Sequence, residues 1–190
     1  MNTKKQQKLT LRNSLRSQRR KLTANQQQQN AVQIANHLQS CQWFAKVQDI
    51  VLYLPIDGEI GMQPFIDMCW SASKNICLPV MSKNTMVFVS YTLGVALAKN
   101  QFGIPEPTIK LSFPTEKLDA IIVPIVAFDK QKRRLGRGGG YYDKVLDKIN
   151  DSTLKIGVAH AVQEIDAVPT EPHDVSMDFI VTEKGIVNTQ

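Results

Sequence analysis

Apolar and polar positions recur at helical spacing over the first forty residues. Residues 10–22 place several arginines on one side of a predicted helix, with leucines at 11, 15 and 22 and arginines at 12, 16, 19 and 20. Thr23 followed by Gln26 is typical of a capping box that starts a second helix. The apolar stripe of that second helix follows the i, i+3, i+4, i+7 pattern at Ala31, Ile34, Ala35 and Leu38.

The pattern then changes to short continuous apolar runs. These predict strands at residues 50–54, 76–80, 86–91, 119–123, 155–159 and 179–182. Helices are predicted at 63–73, with Pro64 in the first turn, and at 141–149. Residues 93–114 are interpreted as a long irregular stretch. Runs without alternation are typical of parallel strands covered on both faces, so the chain predicts an α/β layered fold.

Length and composition favour one globular domain over residues 1–190. The chain has 43% hydrophobic residues and no linker long enough to divide it. Its longest apolar run, 120–128, is far shorter than the roughly 20 residues of a membrane span. The three cysteines, Cys41, Cys69 and Cys77, are odd in number and lack Cys-x-x-Cys spacing, which argues against disulfides or a zinc site. We therefore expect a cytoplasmic protein.

The net charge of +6 is concentrated at the N-terminus. Residues 1–48 contain nine Lys or Arg and no Asp or Glu, which leaves 14 basic and 17 acidic residues in the remainder. Four interpretations stay open at this point: a nucleic-acid arm, a transit peptide, a helix that offers cations to an anionic ligand, or a solvated basic helix.

The segment RLGRGGGYYD (134–143) carries the clearest chemistry. A buried strand leads into a polar turn, four glycines follow, and a helix is predicted from Tyr141. Glycine permits close backbone approach, and amides at a helix start point at an anion. Arg134 and Arg137 flank the loop as phosphate partners, and Asp143 lies within reach of a bridging cation.

This segment matches neither of two common nucleotide-binding patterns. It lacks the G-x-x-x-x-G-K-[ST] of a P-loop, and a dinucleotide fingerprint would need glycine at position 141. The pattern favours phosphate binding, while a structural turn and an RNA contact through Arg137-Gly138-Gly139 remain alternatives.

Five segments in order resemble the 5-formyltetrahydrofolate cyclo-ligase family, also called 5,10-methenyltetrahydrofolate synthetases. They are KLTLR (8–12), YLPIDGEI (53–60), FGIPEP (102–107), the stretch VPIVAFD to RLGRGGGYYD (123–143), and residues 157–183 with VPTEPHDVSMDFIVTE (168–183) at their core. The resemblance covers about residues 8–185, far more than one motif.

The resemblance implies a fold and a reaction. The fold would be a three-layer α/β architecture with a mostly parallel central sheet flanked by helices, close to sugar-phosphate isomerases and CoA-transferases. The reaction would be the ATP- and Mg²⁺-dependent cyclisation of 5-formyltetrahydrofolate to 5,10-methenyltetrahydrofolate, with ADP and phosphate released by way of a phosphorylated formyl group. The resemblance further implies a monomer acting on small molecules, without nucleic acid or membrane partners.

The resemblance also assigns residues. Arg137 and Tyr141 would be catalytic, and Asp143 and Asp174 would hold Mg²⁺. The ATP-binding residues would be Lys8, Arg12, Arg134, Leu135, Gly136, Arg137, Gly138, Gly139, Gly140, Tyr141 and Tyr142. The substrate-binding residues would be Leu54, Glu59, Arg137, Gly138, Gly139, Gly140 and Tyr141.

Two positions depart from the family pattern. Gly139 stands where some members carry lysine, so a lysine contact with phosphate does not transfer. Gly61 stands where a polar residue is common. Two rival functions are an RNA-binding protein that uses residues 4–21 and the Arg137 loop, and a different ATP-dependent enzyme on the same scaffold.

Overall fold

The computed structural model describes residues 3–82, 85–100, 103–109, 111–172 and 174–187. The first residue of the FGIPEP segment, Phe102, and the histidine of the last segment, His173, lie outside these ranges. The α-helices are α1 (Lys4–Arg20), α2 (Ala24–Ser40), α3 (Gln42–Lys46), α4 (Gln63–Ser71) and α5 (Tyr141–Leu146). Short 3-10 turns cover Thr115–Lys117 and Ala161–Gln163. No helix in the described ranges combines the length and apolar character needed to cross a bilayer.

Seven strands form the central sheet, in the order β11-β10-β9-β6-β1-β2-β3. They are β1 (Asp49–Val51), β2 (Asn75–Ser82), β3 (Thr85–Ser90), β6 (Ala120–Pro124), β9 (Leu154–Val158), β10 (Phe179–Thr182) and β11 (Gly185–Ile186). The five inner strands are parallel, and β3 and β11 are antiparallel edges. Two small antiparallel pairs join β4 (Leu97–Lys99) to β5 (Pro105–Pro107), and β7 (Ala127–Phe128) to β8 (Arg134–Leu135).

Both faces of the sheet are covered. Along β6, Ala120 and Ile122 belong to the core beneath α2, α3 and α4, while Ile121 and Val123 belong to the core beneath α5. All four side chains are fully buried. The apolar run of β6 is continuous because the strand is covered on both faces, as inferred from the sequence. The prediction of a three-layer α/β fold with a mostly parallel sheet is confirmed.

The order of the strands reverses between β1 and β6. From β1 the chain passes through α4 to β2 on one side, whereas β6 leads to β9 and β10 on the other. In open α/β sheets, such a reversal leaves a crevice outside the carboxyl ends of the two strands, where ligands bind. The segments that leave β1 and β6 at this edge carry the turn around Glu59 and the hairpin before the glycine loop.

Most predicted elements are present with shifted ends. The capping box of α2 has both of its hydrogen bonds, as predicted from Thr23 and Gln26. Helix α1 begins at Lys4, where Thr3 accepts a hydrogen bond from the Gln6 amide, although the polar residues after it show no apolar period. Strand β1 ends at Val51 and helix α5 at Leu146, both earlier than expected.

The irregular interpretation of residues 93–114 was wrong in part. Strands β4 and β5 pair within it, although Pro105 and Pro107 bound β5. The flanking amides of Asn100 and Thr108 donate to the backbone oxygens of Ile104 and Ala96, so the pairing does not depend on amides that proline lacks.

Candidate active site

Helix α1 is docked on the glycine loop. Leu15 packs with a small core formed by Val126, Ala127, Leu135 and Val168. One turn earlier, Arg12 donates from Nε to the Gly136 carbonyl at 2.9 Å. Burial lowers the pKa of Arg12, opposed by the nearby carboxylates of Asp174, Asp143 and Glu171. The helix therefore presents its cations to the loop.

The loop itself has a backbone that suits glycine. Gly138 and Gly140 adopt φ values of 101° and 67°, which residues with side chains rarely adopt. Helix α5 begins directly after them at Tyr141, as predicted, but runs for only six residues. A helix this short contributes little dipole, so the phosphate binding predicted for this loop would rely on the surrounding cations more than on the helix.

A cavity of about 720 Å³ lies between α1 and the loop. Its wall includes every residue that the sequence assigned to ATP, from Lys8 and Arg12 to the stretch 134–142. Both assigned metal ligands, Asp143 and Asp174, line it as well. The sequence did not single out Lys5 and Glu171, which also contribute, or the apolar side chains of Ile56, Met81, Met86, Ile104 and Pro124.

The carboxylates of the cavity are held by cations. Asp143 accepts from Arg134 at 2.5 Å. Asp174 accepts from Lys8 at 2.9 Å and from the Glu171 amide at 2.8 Å. Among the described residues, no group of three or more His, Cys, Asp or Glu side chains could hold a metal ion. Asp143 and Asp174 offer carboxylate oxygens, the ligand type that Mg²⁺ commonly combines with phosphate and water.

A second, smaller pocket of about 110 Å³ adjoins the first. Leu54 and Glu59 line it and do not reach the larger cavity. The larger cavity and the smaller pocket share Arg137 and Tyr142 in their walls, together with apolar side chains. Gly138, Gly139, Gly140 and Tyr141, assigned to both ligands, line only the larger cavity. The residues assigned to folate alone, Leu54 and Glu59, thus line the smaller pocket, while Arg137 lies in the wall that the two cavities share.

Glu59 is one of two buried glutamates that line the smaller pocket, together with Glu106, and is 7% exposed. Its Oε2 accepts from the Ile56 amide at 3.1 Å. Its Oε1 lies 3.4 Å from Arg137 Nη1 and 3.7 Å from Arg19 Nη2. Burial raises the pKa of Glu59, opposed by Arg19, the Ile56 amide and Arg137. The carboxylate is therefore fixed in one orientation and partly neutralised.

The turn before Glu59 is held by arginines of α1. Asp57 pairs with Arg16 at 2.6 Å, with Arg19 at 3.1 Å, and with Arg20. The sequence placed these arginines on one side of α1, but it gave no sign that they serve a turn rather than a phosphate. Behind the turn, His160 Nε2 lies 3.2 Å from the Gly58 carbonyl oxygen.

Two further positions were not resolved by sequence reasoning. A Cβ added at Gly139 would lie 2.9 Å from ring carbons of Tyr141, so a lysine here would require that ring to move. Tyr53 lines the smaller pocket, is 3% exposed, and its hydroxyl has no hydrogen-bond partner in the described ranges. Tyr53 is the first residue of the motif YLPIDGEI, but the resemblance assigned only Leu54 and Glu59 of this motif to the substrate.

Comparison with known proteins identifies one family. The model of the 5-formyltetrahydrofolate cyclo-ligase family matches residues 4–183. A 5-formyltetrahydrofolate cyclo-ligase of Haemophilus influenzae is 37% identical over 188 residues, which cover 95% of this chain and 100% of the relative. A protein of the same name from Escherichia coli is 34% identical over 174 residues, covering 88% and 96%.

A solved structure has the same fold. The NMR structure of Aquifex aeolicus 5,10-methenyltetrahydrofolate synthetase superposes with a TM-score of 0.86 at 31% identity. The superposition covers 96% of this chain and 93% of that chain.

Proposed function

The chain belongs to the 5-formyltetrahydrofolate cyclo-ligase family, and we propose that it uses ATP to cyclise 5-formyltetrahydrofolate to 5,10-methenyltetrahydrofolate. The observation that carries this proposal is the pair of adjoining cavities. The larger is lined by cations and glycines, and the smaller is mostly apolar with two buried carboxylates, Glu59 and Glu106. Arg137 lies in the wall that they share.

ATP would occupy the larger cavity. Lys8, Arg12 and Arg134 place three positive charges around it, and guanidinium groups pair with phosphate oxygens in bidentate fashion. Gly138 would let phosphate oxygens approach the backbone closely, because it has no side chain at a positive φ. Leu135, Gly136, Gly139, Gly140 and Tyr142 would complete the enclosure.

The folate ring would occupy the smaller pocket. An ionised carboxylate accepts hydrogen bonds only, so Glu59 would bind N–H groups on the pterin edge. Leu54 would pack on the ring face. Few polar groups in a mostly apolar pocket suit a flat heterocycle whose orientation must be fixed.

The proposed chemistry joins the two ligands in two steps. The formyl oxygen attacks the γ-phosphorus of ATP, the bond to the bridging oxygen breaks, and ADP leaves. N10 then attacks the formyl carbon, the carbon–oxygen bond breaks, phosphate departs, and the N10 proton is lost. Phosphorylation helps because a formamide oxygen is a poor leaving group, whereas phosphate is a good one.

The protein's contribution would be positioning and charge neutralisation. Arg137 lies at the shared wall, so it would offset charge on the phosphoryl group in transit. Tyr141 would help to orient the loop and the bound folate beside it. Asp143 and Asp174 would hold Mg²⁺, which supplies positive charge to phosphate oxygens, and their present ion pairs would have to rearrange to do so.

The proposal also covers the whole chain. We propose that residues 1–190 act as one domain, since the seven-stranded sheet joins strands from Asp49 to Ile186. We propose a cytoplasmic monomer without nucleic-acid partners.

Turnover tests the proposal. Purified protein is mixed with (6S)-5-formyltetrahydrofolate, Mg²⁺ and ATP, and the near-ultraviolet absorbance band of the methenyl product is followed. We expect the band to grow only when both ATP and Mg²⁺ are present. A folded protein that binds ATP without forming this product would instead be an ATP-dependent enzyme for another substrate.

Glu59→Gln separates folate recognition from ATP binding. A hydrogen bond to a charged group contributes about 1.5–3 kcal/mol, so the KM for 5-formyltetrahydrofolate should rise by about 10- to 100-fold. The KM for ATP should change little. Glu116→Gln, at an exposed glutamate in a 3-10 turn, is the matched control and should behave as the wild type. If Glu59→Gln leaves folate kinetics unchanged, Glu59 has no role in recognition.

A further inference from the structure

Tyr53 is a buried polar residue to which the proposed function gives no role. It follows β1 at the carboxyl edge of the sheet, where the Leu52 amide still donates to the Cys77 carbonyl at 2.9 Å. Its side chain belongs to the core beneath the helices and is 3% exposed. The backbone pairing and the core contacts fix the position of the ring, so its hydroxyl is preorganised.

The hydroxyl of Tyr53 has no hydrogen-bond partner among the residues that the structure describes. Buried hydroxyls are generally paired, because an unpaired one loses its water without a replacement. The ring lines the smaller pocket, the space next to Glu59. Tyr53 therefore brings an unpaired hydroxyl to a residue position that lines a ligand pocket, where a bound ligand could supply the missing partner.

The charges around Tyr53 keep its proton in place. Burial raises the pKa of Tyr53, and the neighbouring Glu59 and Tyr142 raise it further, against a lowering effect of Arg19. The hydroxyl therefore stays protonated and is available as a donor. Glu59 in the same pocket is an acceptor, with its oxygens already oriented by Ile56 and Arg137.

A donor and an acceptor side by side match the edge of a pterin. The pyrimidine part of that ring system alternates N–H donors with carbonyl and ring-nitrogen acceptors. A carboxylate satisfies the donors but repels the acceptors, so an acceptor on the ring needs a separate donor from the protein. Tyr142, the other tyrosine of this pocket, also faces the larger cavity.

We propose that Tyr53 is a specificity-determining residue whose hydroxyl donates a hydrogen bond to an acceptor atom of the pterin ring beside Glu59. This inference rests on the proposed function, since it concerns the folate pocket of that reaction. It adds a neutral donor to a pocket whose other polar side chains are Glu59, Glu106, Arg137 and Tyr142. Substrates that lack a hydrogen-bonding atom at this ring position would bind less tightly, because the hydroxyl would stay unpaired.

Tyr53→Phe tests the contact, because it removes only the hydroxyl. A neutral hydrogen bond of about 0.5–1.5 kcal/mol corresponds to about a 2- to 12-fold change, so Kd and KM for (6S)-5-formyltetrahydrofolate should rise by about this factor. Kd is measured by calorimetry without ATP, and the KM for ATP should not change. The melting temperature of the free protein should not fall, because the hydroxyl removed has no protein partner.

Tyr91→Phe is the matched control. Tyr91 is also buried, stacks on Trp70, and lines neither cavity, so its variant should bind folate as the wild type does. If the wild type turns over normally and Tyr53→Phe binds folate as the wild type does, the proposed hydrogen bond from Tyr53 is refuted. The proposed function is then unaffected. A lowered melting temperature with equal losses toward both substrates would make Tyr53 structural and refute the hydrogen bond too. Absence of wild-type turnover would overturn the proposed function itself, and the contact with it.

Discussion

Asp57 shows how a single carboxylate shapes the folate side of the site. Its φ of 58° lies in the left-handed region, and its side chain pairs with three arginines of α1. Burial raises the pKa of Asp57, but the hydrogen bonds and charges of Arg16, Arg20 and Arg19 lower it more, so this pKa lies below the ordinary value of an aspartate. The turn that orients Glu59 therefore depends on a charged cluster.

Asp57→Asn should destabilise the protein in a pH-dependent way. Asparagine tolerates the left-handed backbone, so the change removes the charge and little else. Fully buried Arg19 loses its closest partner, and we expect a loss of about 3 kcal/mol in unfolding free energy at pH 7. A carboxylate with a lowered folded pKa contributes stability above its unfolded value, and this contribution is lost as the pH falls through the folded pKa.

Urea denaturation from pH 7 downward measures this difference. The gap between wild type and Asp57→Asn should narrow only as the pH falls below the ordinary pKa of aspartate toward the lowered pKa of Asp57, where the wild-type carboxylate becomes neutral as well. Asp147→Asn, at an exposed aspartate just after α5, is the control and should lie within about 0.5 kcal/mol of wild type. A gap that stays constant through acid pH would show that the charge of Asp57 is not what holds the turn.

Individual residues were predictable only where a motif marked them. Glu59 stood out in YLPIDGEI and lies in the smaller pocket. Tyr53, in the same motif, looked like one more core residue of a strand, because the sequence does not show whether a buried hydroxyl has a partner. Arg19 carried the same signal as Arg12, yet it contacts Asp57. Which side of a helix meets which loop is decided by packing.

At the scale of elements, the site depends on contact between α1 and the glycine loop. Arg12 bonds to the Gly136 carbonyl, and a Cβ added at Gly138 would lie 3.2 Å from the Arg12 guanidinium carbon. The side chain of Arg12 therefore lies against the bare backbone of the loop. This close approach requires a residue without a side chain at position 138.

Gly138→Ala should therefore weaken ATP binding. The added methyl group is strained at φ 101° and displaces Arg12, so we expect the KM for ATP to rise by about tenfold, equal to about 1.4 kcal/mol. The KM for folate should change less. Steady-state kinetics and nucleotide titration measure both effects.

Gly94→Ala provides the matched control for backbone strain. Gly94 also has a positive φ, of 84°, but a Cβ there would meet nothing within 4 Å. Its variant should carry a comparable backbone cost and leave the KM for ATP within about twofold of wild type. Equal effects of the two alanines on ATP would refute a specific role for the contact between Arg12 and the loop.

Helices and strands could be predicted where the apolar periodicity was strong. They could not be predicted where they form only by pairing with a distant strand. The capping box and the buried stripe of α2 could be identified because both are local features. The hairpin of β7 and β8 has two residues in each strand, too few for a period. Strands β4 and β5 form through cross-strand hydrogen bonds. The sequence did not predict them because Pro105 and Pro107 are typical of irregular segments.

At the scale of the molecule, strand order explains why the two cavities adjoin. The reversal between β1 and β6 opens the sheet edge where the Glu59 turn and the glycine hairpin emerge. Helix α1 then closes this edge from outside through its contacts with both segments. Residues 8, 59, 137 and 174 are far apart in sequence and meet only because of this order.

The parallel sheet could be predicted from continuous apolar strands, but the order of its strands could not. Strand β1 pairs with β6 across nearly seventy residues of intervening chain, and no local pattern encodes that pairing. The resemblance of five segments to one family indicated which residues share a site. The division of those residues between two cavities required the structure.

The transfer of oxygen from the formyl group to phosphate tests the central claim most directly. The substrate is (6S)-5-formyltetrahydrofolate labelled with oxygen-18 in the formyl group, turned over with unlabelled ATP and Mg²⁺, and the released phosphate is analysed by mass spectrometry. If ATP in the larger cavity phosphorylates the formyl oxygen of the folate in the smaller pocket, each released phosphate should carry one labelled oxygen. Methenyl product formed with unlabelled phosphate, and the label in water, would contradict the account.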